Sequence, residues 1–154
     1  MAALHRILIV DDEPDLEPLI LRRMRRKIRA GLYEFLFAAN GVKALEVLNE
    51  RPDIDIVISD INMPEMDGLT LLEQIRKVDP NIRAIIVSAY GDMKNIRTAM
   101  RRGAVDFITK PIDFEDFEET LERTIIQLRE WKVALLARDT MVSSQSESNP
   151  AAGA

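Results

Sequence analysis

The 154-residue sequence contains no cysteine, so we expect neither a disulfide framework nor thiol chemistry. It also lacks a signal peptide and a continuous apolar run of roughly 18 residues, and we therefore expect a soluble, cytoplasmic protein without a membrane segment. Basic residues are not in excess: the net charge is −5. This argues against nucleic acid as the main partner, because such binding depends on Lys and Arg neutralising phosphates. The length fits one domain with a short appendage.

Short apolar runs rich in β-branched residues occur at residues 7–10, 56–59, 85–87 and 107–109. Continuous runs of this length are typical of strands buried on both faces, and hence of a parallel sheet. Ligands of an open parallel sheet bind beyond the carboxyl ends of its strands, so polar side chains at these run ends should meet at one edge. Those side chains are, in chain order, Asp11, Asp12, Asp60, Ser88 and Lys110.

Helical patterns separate the strands and give a β–α unit repeated five times. We predict strands at residues 6–10, 34–38, 54–59, 84–88 and 105–109. The predicted helices begin near Pro14, Asn40, Gly68, Met93 and Phe114. Right-handed crossovers then place helices on both faces of the sheet.

Three carboxylates at one sheet edge repel one another unless a cation neutralises them. The three are Asp11, Asp12 and Asp60. Hard carboxylate oxygens with room left for water suit Mg²⁺. The pattern therefore predicts a magnesium site at the carboxyl edge.

Four sequence blocks together resemble the receiver domain of two-component response regulators. They are residues 8–13 (LIVDDE), 59–68 (SDINMPEMDG), 88–89 (SA) and 109–111 (TKP). The resemblance covers roughly residues 4–128, with the blocks in the family's order. It implies a flavodoxin-like, doubly wound α/β fold with a five-stranded parallel sheet of order 2-1-3-4-5 and five helices.

The resemblance assigns a phosphoryl-transfer role to the acidic residues. Asp60 occupies the place of the phosphoacceptor, a carboxylate nucleophile that forms an aspartyl phosphate. Mg²⁺ would be bound by Asp12 directly, by Asp11 through water, by Asp60 and by the backbone carbonyl of Asn62. For Asp11, a role as a helix N-cap is compatible with metal binding.

The resemblance also assigns roles to residues on the fourth and fifth strands. Lys110 would supply a positive charge to the phosphoryl group, and Pro111 would follow a cis peptide bond. Ser88 and Phe107 would form the switch pair, with Phe107 expected to pack inward. Simple core packing remains an alternative for Phe107. Tyr90 is either a shield for the phosphate or an ordinary surface residue.

These roles predict a phosphoacceptor regulator rather than an enzyme, catalysing only its own phosphorylation and dephosphorylation. One alternative is a pseudo-receiver that acts as an interaction module without phosphorylation. Another is an aspartyl-phosphate phosphatase of the haloacid dehalogenase type. That family needs a second Asp two residues after the nucleophile, where this sequence has Asn62.

The expected partner is a sensor histidine kinase or a phosphotransfer protein, without direct DNA or membrane binding. His5 is the single histidine, and we expect it at the surface rather than as a phosphodonor. A basic cluster at residues 22–29 is either a solvated face near a helix C-terminus or a docking surface for an acidic partner.

The fifth predicted helix extends beyond the length that a receiver requires. Its apolar positions predict a seam with coiled-coil spacing, which could pair two copies through helices four and five. The seam residues are Leu121, Ile125, Leu128, Trp131 and Leu135. We divide the chain into a receiver (1–128), a helical extension and possible coiled-coil linker (129–138), and a disordered tail (139–154). The chain is either a stand-alone regulator or the receiver of a longer protein. Its sequence at residues 88–93 and 110–114 resembles receivers that are fused to cyclases or phosphatases.

Overall fold

A computed structural model describes residues 3–147, with side chains described through residue 140. Its centre is a five-stranded, fully parallel sheet of order β2-β1-β3-β4-β5, which confirms the predicted topology. The strands are β1 (His5–Val10), β2 (Tyr33–Ala38), β3 (Ile56–Asp60), β4 (Arg83–Ala89) and β5 (Asp106–Lys110).

Six helices surround the sheet. They are α1 (Leu16–Arg23), α2 (Arg25–Arg29), α3 (Gly41–Glu50), α4 (Gly68–Val78), α5 (Met93–Arg101) and α6 (Phe114–Glu147). The number exceeds the prediction because the first predicted helix is divided at Met24, whose backbone leaves the helical region (φ −97°, ψ 10°). Pro14 precedes α1, and Pro18 lies in its first turn, where a missing N–H breaks no intrahelical bond.

Apolar layers on both faces of the sheet explain the continuous apolar runs. In β1, Ile7 and Ile9 pack toward α1 and α6, whereas Leu8 and Val10 pack toward α3 and α4. All four side chains are at most 3% exposed. Burial of each such side chain stabilises the fold by about 1.5–3 kcal/mol, so the sheet is fixed in register and orientation.

The first three residues of the predicted α6 seam differ from the prediction of a contact between chains. Leu121, Ile125 and Leu128 are at most 4% exposed and pack in the domain's own core, so they are unavailable to a second chain. Trp131 is half-buried, and its ring centroid lies 5.2 Å from the guanidinium carbon of Arg83.

The helical backbone also continues through Glu147, past residue 138, where we predicted the extension to end. Leu135, Leu136, Ala137 and Arg138 are good helix formers, and a helix already nucleated on the domain extends through them at little cost. Residues 148–154 of the predicted tail lie outside the described part of the chain. Within the described residues, no helix is both long and apolar enough to cross a membrane.

Candidate functional site

Three carboxylates converge at the carboxyl edge of the sheet, as the strand ends predict. Asp11 and Asp12 follow β1, and Asp60 is the last residue of β3. Each contributes one oxygen to a group in which all three atoms lie within 4.8 Å of one another. The side chains of Asp11 and Asp60 are only 4% and 6% exposed, whereas Asp12 is exposed to solvent. One side of the cluster is therefore open to a cation or a phosphoryl group.

Lys110, at the end of β5, provides the positive charge in this cluster. Its Nζ lies 2.8 Å from Oδ2 of Asp60 and 3.2 Å from Oδ2 of Asp11. Partial burial acts to lower the pKa of Lys110, but the hydrogen bonds and charges of the two aspartates outweigh it and raise the pKa. The Lys110–Pro111 peptide bond is cis. One ammonium among three carboxylates leaves two negative charges uncompensated.

The loop after β3 holds the Asp60 carboxylate through a backbone hydrogen bond. The Asn62 backbone N–H donates to Oδ1 of Asp60 at 3.2 Å, and the Gly68 N–H donates to the Ile61 carbonyl at 2.8 Å. A Cβ on Gly68 would collide with the Asp60 carbonyl oxygen, so the start of α4 can approach β3 this closely only without a side chain. Asn62, a predicted metal ligand, is thereby placed beside the carboxylates.

Two openings flank Asp11 and give access to the cluster. A groove of about 560 Å³ lies between α1 and α3, and its rim includes Glu13 and Glu46. A second opening, of about 290 Å³, is lined by Asp11, Lys110 and Pro111 among others. Both have room for the water molecules that Mg²⁺ retains in protein sites.

Ser88 lies at the same edge, but its hydroxyl group forms no hydrogen bond with Asp11, Asp12, Asp60 or Lys110. The residue is fully buried near the end of β4, and its Oγ donates to Oδ2 of Asp92 at 3.2 Å. Sequence reasoning missed Asp92. Its position directly before a predicted helix was the available signal, since Asp is favoured at helix N-caps.

Phe107 contradicts the expectation of inward packing, because its side chain is 37% exposed. It lies on β5, an edge strand with a neighbour on one side only, opposite Ile86 of β4. Tyr90 is 87% exposed and contacts the solvent rather than the cluster. The structure thus brings together Asp11, Asp12, Asp60 and Lys110, whereas the Ser88 hydroxyl bonds to Asp92 and Phe107 is partly exposed.

His5 also contradicts its prediction, since it is 2% exposed rather than on the surface. It is the first residue of β1, where its backbone N–H donates to the Leu32 carbonyl. Its Nδ1 lies 3.4 Å from Oδ2 of Asp55. Arg129 and Lys132 of α6 lie close enough to His5 to act on its charge, so its burial depends on a helix distant in sequence, which periodicity does not reveal.

Comparison with known proteins gives a consistent result. A family model described as the response regulator receiver domain matches residues 7–122. The chain is 33% identical to the transcriptional regulatory protein GlrR of Escherichia coli K12 over 141 residues, covering 88% of this chain and 31% of GlrR. It is 37% identical to the chemotaxis protein CheY of Bacillus subtilis over 121 residues, covering 79% of this chain and 98% of CheY.

A solved structure shares the architecture. The receiver domain of NtrX from Brucella abortus superimposes with a TM-score of 0.68 at 32% identity, covering 77% of this chain and 96% of that one. The chain spans about a third of the length of GlrR, so it corresponds to one segment of that relative.

Proposed function

The chain belongs to the family of response regulator receiver domains, and we propose that Asp60 accepts its phosphoryl group from a sensor histidine kinase or phosphotransfer protein. The observation that carries this assignment is the position of Asp60 at the end of β3. Its buried carboxylate touches Lys110 and lies beside Asp11 and Asp12. Asp11 shares the burial, the contact with Lys110 and the acidic neighbours, so the choice of Asp60 rests on its place at the end of β3.

The geometry supports nucleophilic attack by an oxygen of Asp60 on phosphorus. A new O–P bond forms to the carboxylate, the P–N bond of a phosphohistidine breaks, and the electron pair leaves with the imidazole nitrogen. Lys110 Nζ, 2.8 Å from Oδ2, is placed to pair with an oxygen of the transferred phosphoryl group. The Asn62 N–H keeps the carboxylate oriented during attack.

Mg²⁺ fits the residues at this edge. Three carboxylates lie within 4.8 Å, one of them is exposed, and two negative charges remain after Lys110 is counted. We propose that Asp11, Asp12, Asp60 and the backbone carbonyl of Asn62 would hold the ion. When bound, Mg²⁺ neutralises charge on the phosphoryl oxygens.

Phosphorylation and dephosphorylation of its own Asp60 are the only reactions that we propose for this chain. The pseudo-receiver alternative is disfavoured because Asp11, Asp12, Asp60 and Lys110 are all present at one edge, with Lys110 bonded to Asp11 and Asp60. The phosphatase alternative lacks its acid/base, since Asn62 occupies that position and cannot transfer a proton.

Labelling with acetyl phosphate tests the assignment. Wild-type chain should become phosphorylated in Mg²⁺ and remain unlabelled in EDTA, and Asp60→Asn should abolish labelling. Asp116→Asn, which removes an exposed carboxylate on α6, is the matched control and should be labelled normally. Labelling that survives in Asp60→Asn would refute the assignment.

We propose that the kinase docks on a basic face formed by α1 and α2. Its exposed members are Arg22, Arg23, Arg25, Arg26 and Arg29. None of these guanidinium groups forms an ion pair with a described acidic residue, and Arg23 lies over the ring of Phe114. The unpaired charges favour an acidic partner. The double variant Arg25→Glu/Arg26→Glu should slow phosphotransfer from a kinase and leave acetyl phosphate labelling unchanged. Equal rates of phosphotransfer from the kinase to wild type and to the double variant would exclude this face as the docking surface.

We also propose that α6, together with α5, pairs with a second copy of the chain. The supporting side chains lie beyond the domain core: Val133 and Leu136 are 66% and 67% exposed. Exposed apolar side chains at helical spacing favour a helix–helix contact. Val133→Glu/Leu136→Glu should convert a dimer to a monomer in light scattering, whereas Ala134→Glu should not. A monomeric wild type, with and without beryllofluoride, would exclude pairing.

A further inference from the structure

The Ser88 hydroxyl is already engaged away from the phosphoacceptor. It donates to Oδ2 of Asp92 at 3.2 Å, and the same oxygen accepts from Nδ2 of Asn95 at 2.8 Å. A serine hydroxyl carries one proton and can donate to one acceptor at a time. A phosphoryl oxygen on Asp60 and the carboxylate of Asp92 therefore compete for the same hydrogen bond.

We infer that Asp92 is a positioning residue that holds Ser88 in the unphosphorylated arrangement and weakens binding of a phosphoryl group at Asp60. The inference rests on the proposed function of Asp60 and on the switch role of Ser88. Asp92 touches neither the acidic cluster nor Lys110. It acts through Ser88, by setting how often the hydroxyl is free to turn toward the cluster.

The start of α5 provides a second observation for this competition. Asp92 occupies the N-cap position of α5, yet its side chain makes no capping hydrogen bond. Asn40 and Asp67 do cap α3 and α4, through bonds of 2.9 and 2.7 Å. The Asp92 carboxylate is bound to Ser88 and Asn95 instead, so the first turn of α5 lacks a cap that its sequence could provide.

Release of Ser88 would let Asp92 turn toward the first amides of α5. The turn between them is not clamped by packing, because Gly91 has a φ of +85° and no described atom lies within 4 Å of where its Cβ would stand. Tyr90, beside it, is 87% exposed. One exchange of hydrogen bonds would thus connect the phosphoacceptor to the start of α5.

A double-mutant cycle between Asp92 and Ser88 tests the inference. The measurement is the dissociation constant of beryllofluoride, a phosphoryl mimic, in the presence of Mg²⁺. Asp92→Ala should bind it about three- to tenfold more tightly than wild type, because the apparent affinity rises with the fraction of chains whose Ser88 is free. In a Ser88→Ala background the same substitution should change the dissociation constant by less than about twofold.

Glu13→Gln controls for the loss of a negative charge near the site, since Glu13 lies at the same edge. Glu13→Gln should change the dissociation constant of beryllofluoride equally in the wild-type and Ser88→Ala backgrounds. Equal tightening by Asp92→Ala in both backgrounds, or none in either, would overturn the inference while leaving the function of Asp60 intact. A wild-type chain that binds no beryllofluoride would overturn both.

Hydrogen exchange at the start of α5 provides an independent readout. Beryllofluoride should slow exchange of the Lys94 and Asn95 amides in wild type, because Asp92 would then cap them. The slowing should be absent in Asp92→Ala and in Ser88→Ala. Unchanged exchange at both amides in wild type that binds the mimic would contradict the proposed exchange of hydrogen bonds.

Discussion

The two edges of the same sheet differ in how their charges are balanced. At the carboxyl edge, Asp11, Asp12 and Asp60 surround the single ammonium of Lys110. At the amino edge, three cations pair with three anions, in one group of four residues and one separate pair, Lys132 with Asp55. The members of this amino-edge network are Arg6, Arg51, Lys132, Glu34, Asp53 and Asp55.

At the amino edge, each charged side chain of the network lies beside a partner of opposite charge. Nε of Arg6 lies 2.9 Å from both Glu34 and Asp53, and Arg51 bonds the same two carboxylates. The hydrogen bond from Arg51 lowers the pKa of Asp53. Solvent screens each of these exposed pairs, so the edge is stabilised by many weak contacts rather than by one strong bond.

The carboxyl edge is instead poised for a ligand. Two uncompensated negative charges cost stability in the free chain, and a bound cation relieves that cost. We therefore expect substitutions at the carboxyl edge to damage function more than stability, and substitutions at the amino edge to do the reverse.

Asp12→Asn should lower Mg²⁺-dependent labelling by acetyl phosphate by about 100-fold, at or above the loss seen when outer-shell metal contacts are removed. The cause is the loss of one anionic oxygen from the acidic cluster. The rate of phosphorylation at saturating acetyl phosphate measures it. Normal labelling at micromolar Mg²⁺ would remove Asp12 from the metal site.

Gly68→Ala should be an exception to this division, because it lies at the carboxyl edge and should reduce both function and stability. The new Cβ would collide with the Asp60 carbonyl, so we expect both lower labelling and a loss of about 1–3 kcal/mol in the free energy of unfolding. Urea denaturation measures the second effect. Gly31→Ala, at a site with no neighbouring atom within 4 Å among the described residues, separates backbone strain from collision.

Asp55→Ala should destabilise the fold by about 1–2 kcal/mol and leave labelling unchanged. The side chain accepts the Arg6 backbone N–H and contacts His5 and Lys132, and all three lose a partner. Urea denaturation measures the loss of stability, and acetyl phosphate labelling of the same preparation checks that phosphorylation is unchanged. A selective loss of labelling would contradict the division between the two edges.

His5 should give the smallest effect, a loss of stability in mild acid. Burial lowers its pKa from the usual 6.5, with Arg129 and Lys132 acting in the same direction and Asp55 opposing them. The unfolded chain therefore binds a proton that the folded chain does not, and stability falls as pH drops through 6.5 toward the folded pKa. His5→Phe should remove this slope, which is at most about 1.4 kcal/mol per pH unit. Parallel pH profiles of the two proteins would exclude His5 as the cause.

Most of the carboxyl edge follows directly from sequence. Apolar runs such as residues 56–59 have one stable placement, in a sheet covered on both faces, and a parallel sheet aligns their ends. The convergence of Asp11, Asp12, Asp60 and Lys110 is then a consequence of topology, and the structure places all four at one edge.

The failures share a different physical origin. Burial of His5, exposure of Phe107 and the division at Met24 depend on which neighbours cover a position, and that information is not local in sequence. The α6 seam failed for the same reason: spacing alone does not distinguish Leu121 in its own core from a contact with another chain. Asp92 was missed because its hydrogen bond to Ser88 depends on the fold of the turn between them, which no sequence pattern specifies.

The balance between the two edges is tested most directly by urea unfolding of Asp12→Asn beside wild type, in EDTA and in Mg²⁺. Asp12 makes no hydrogen bond or ion pair within the described residues, so its removal takes away charge and little else. We predict that the variant is as stable as wild type in EDTA, or up to about 1 kcal/mol more stable, and that millimolar Mg²⁺ stabilises wild type alone. A variant less stable than wild type in EDTA, or equally stabilised by Mg²⁺, would contradict the claim that this edge is built for a ligand rather than for the fold.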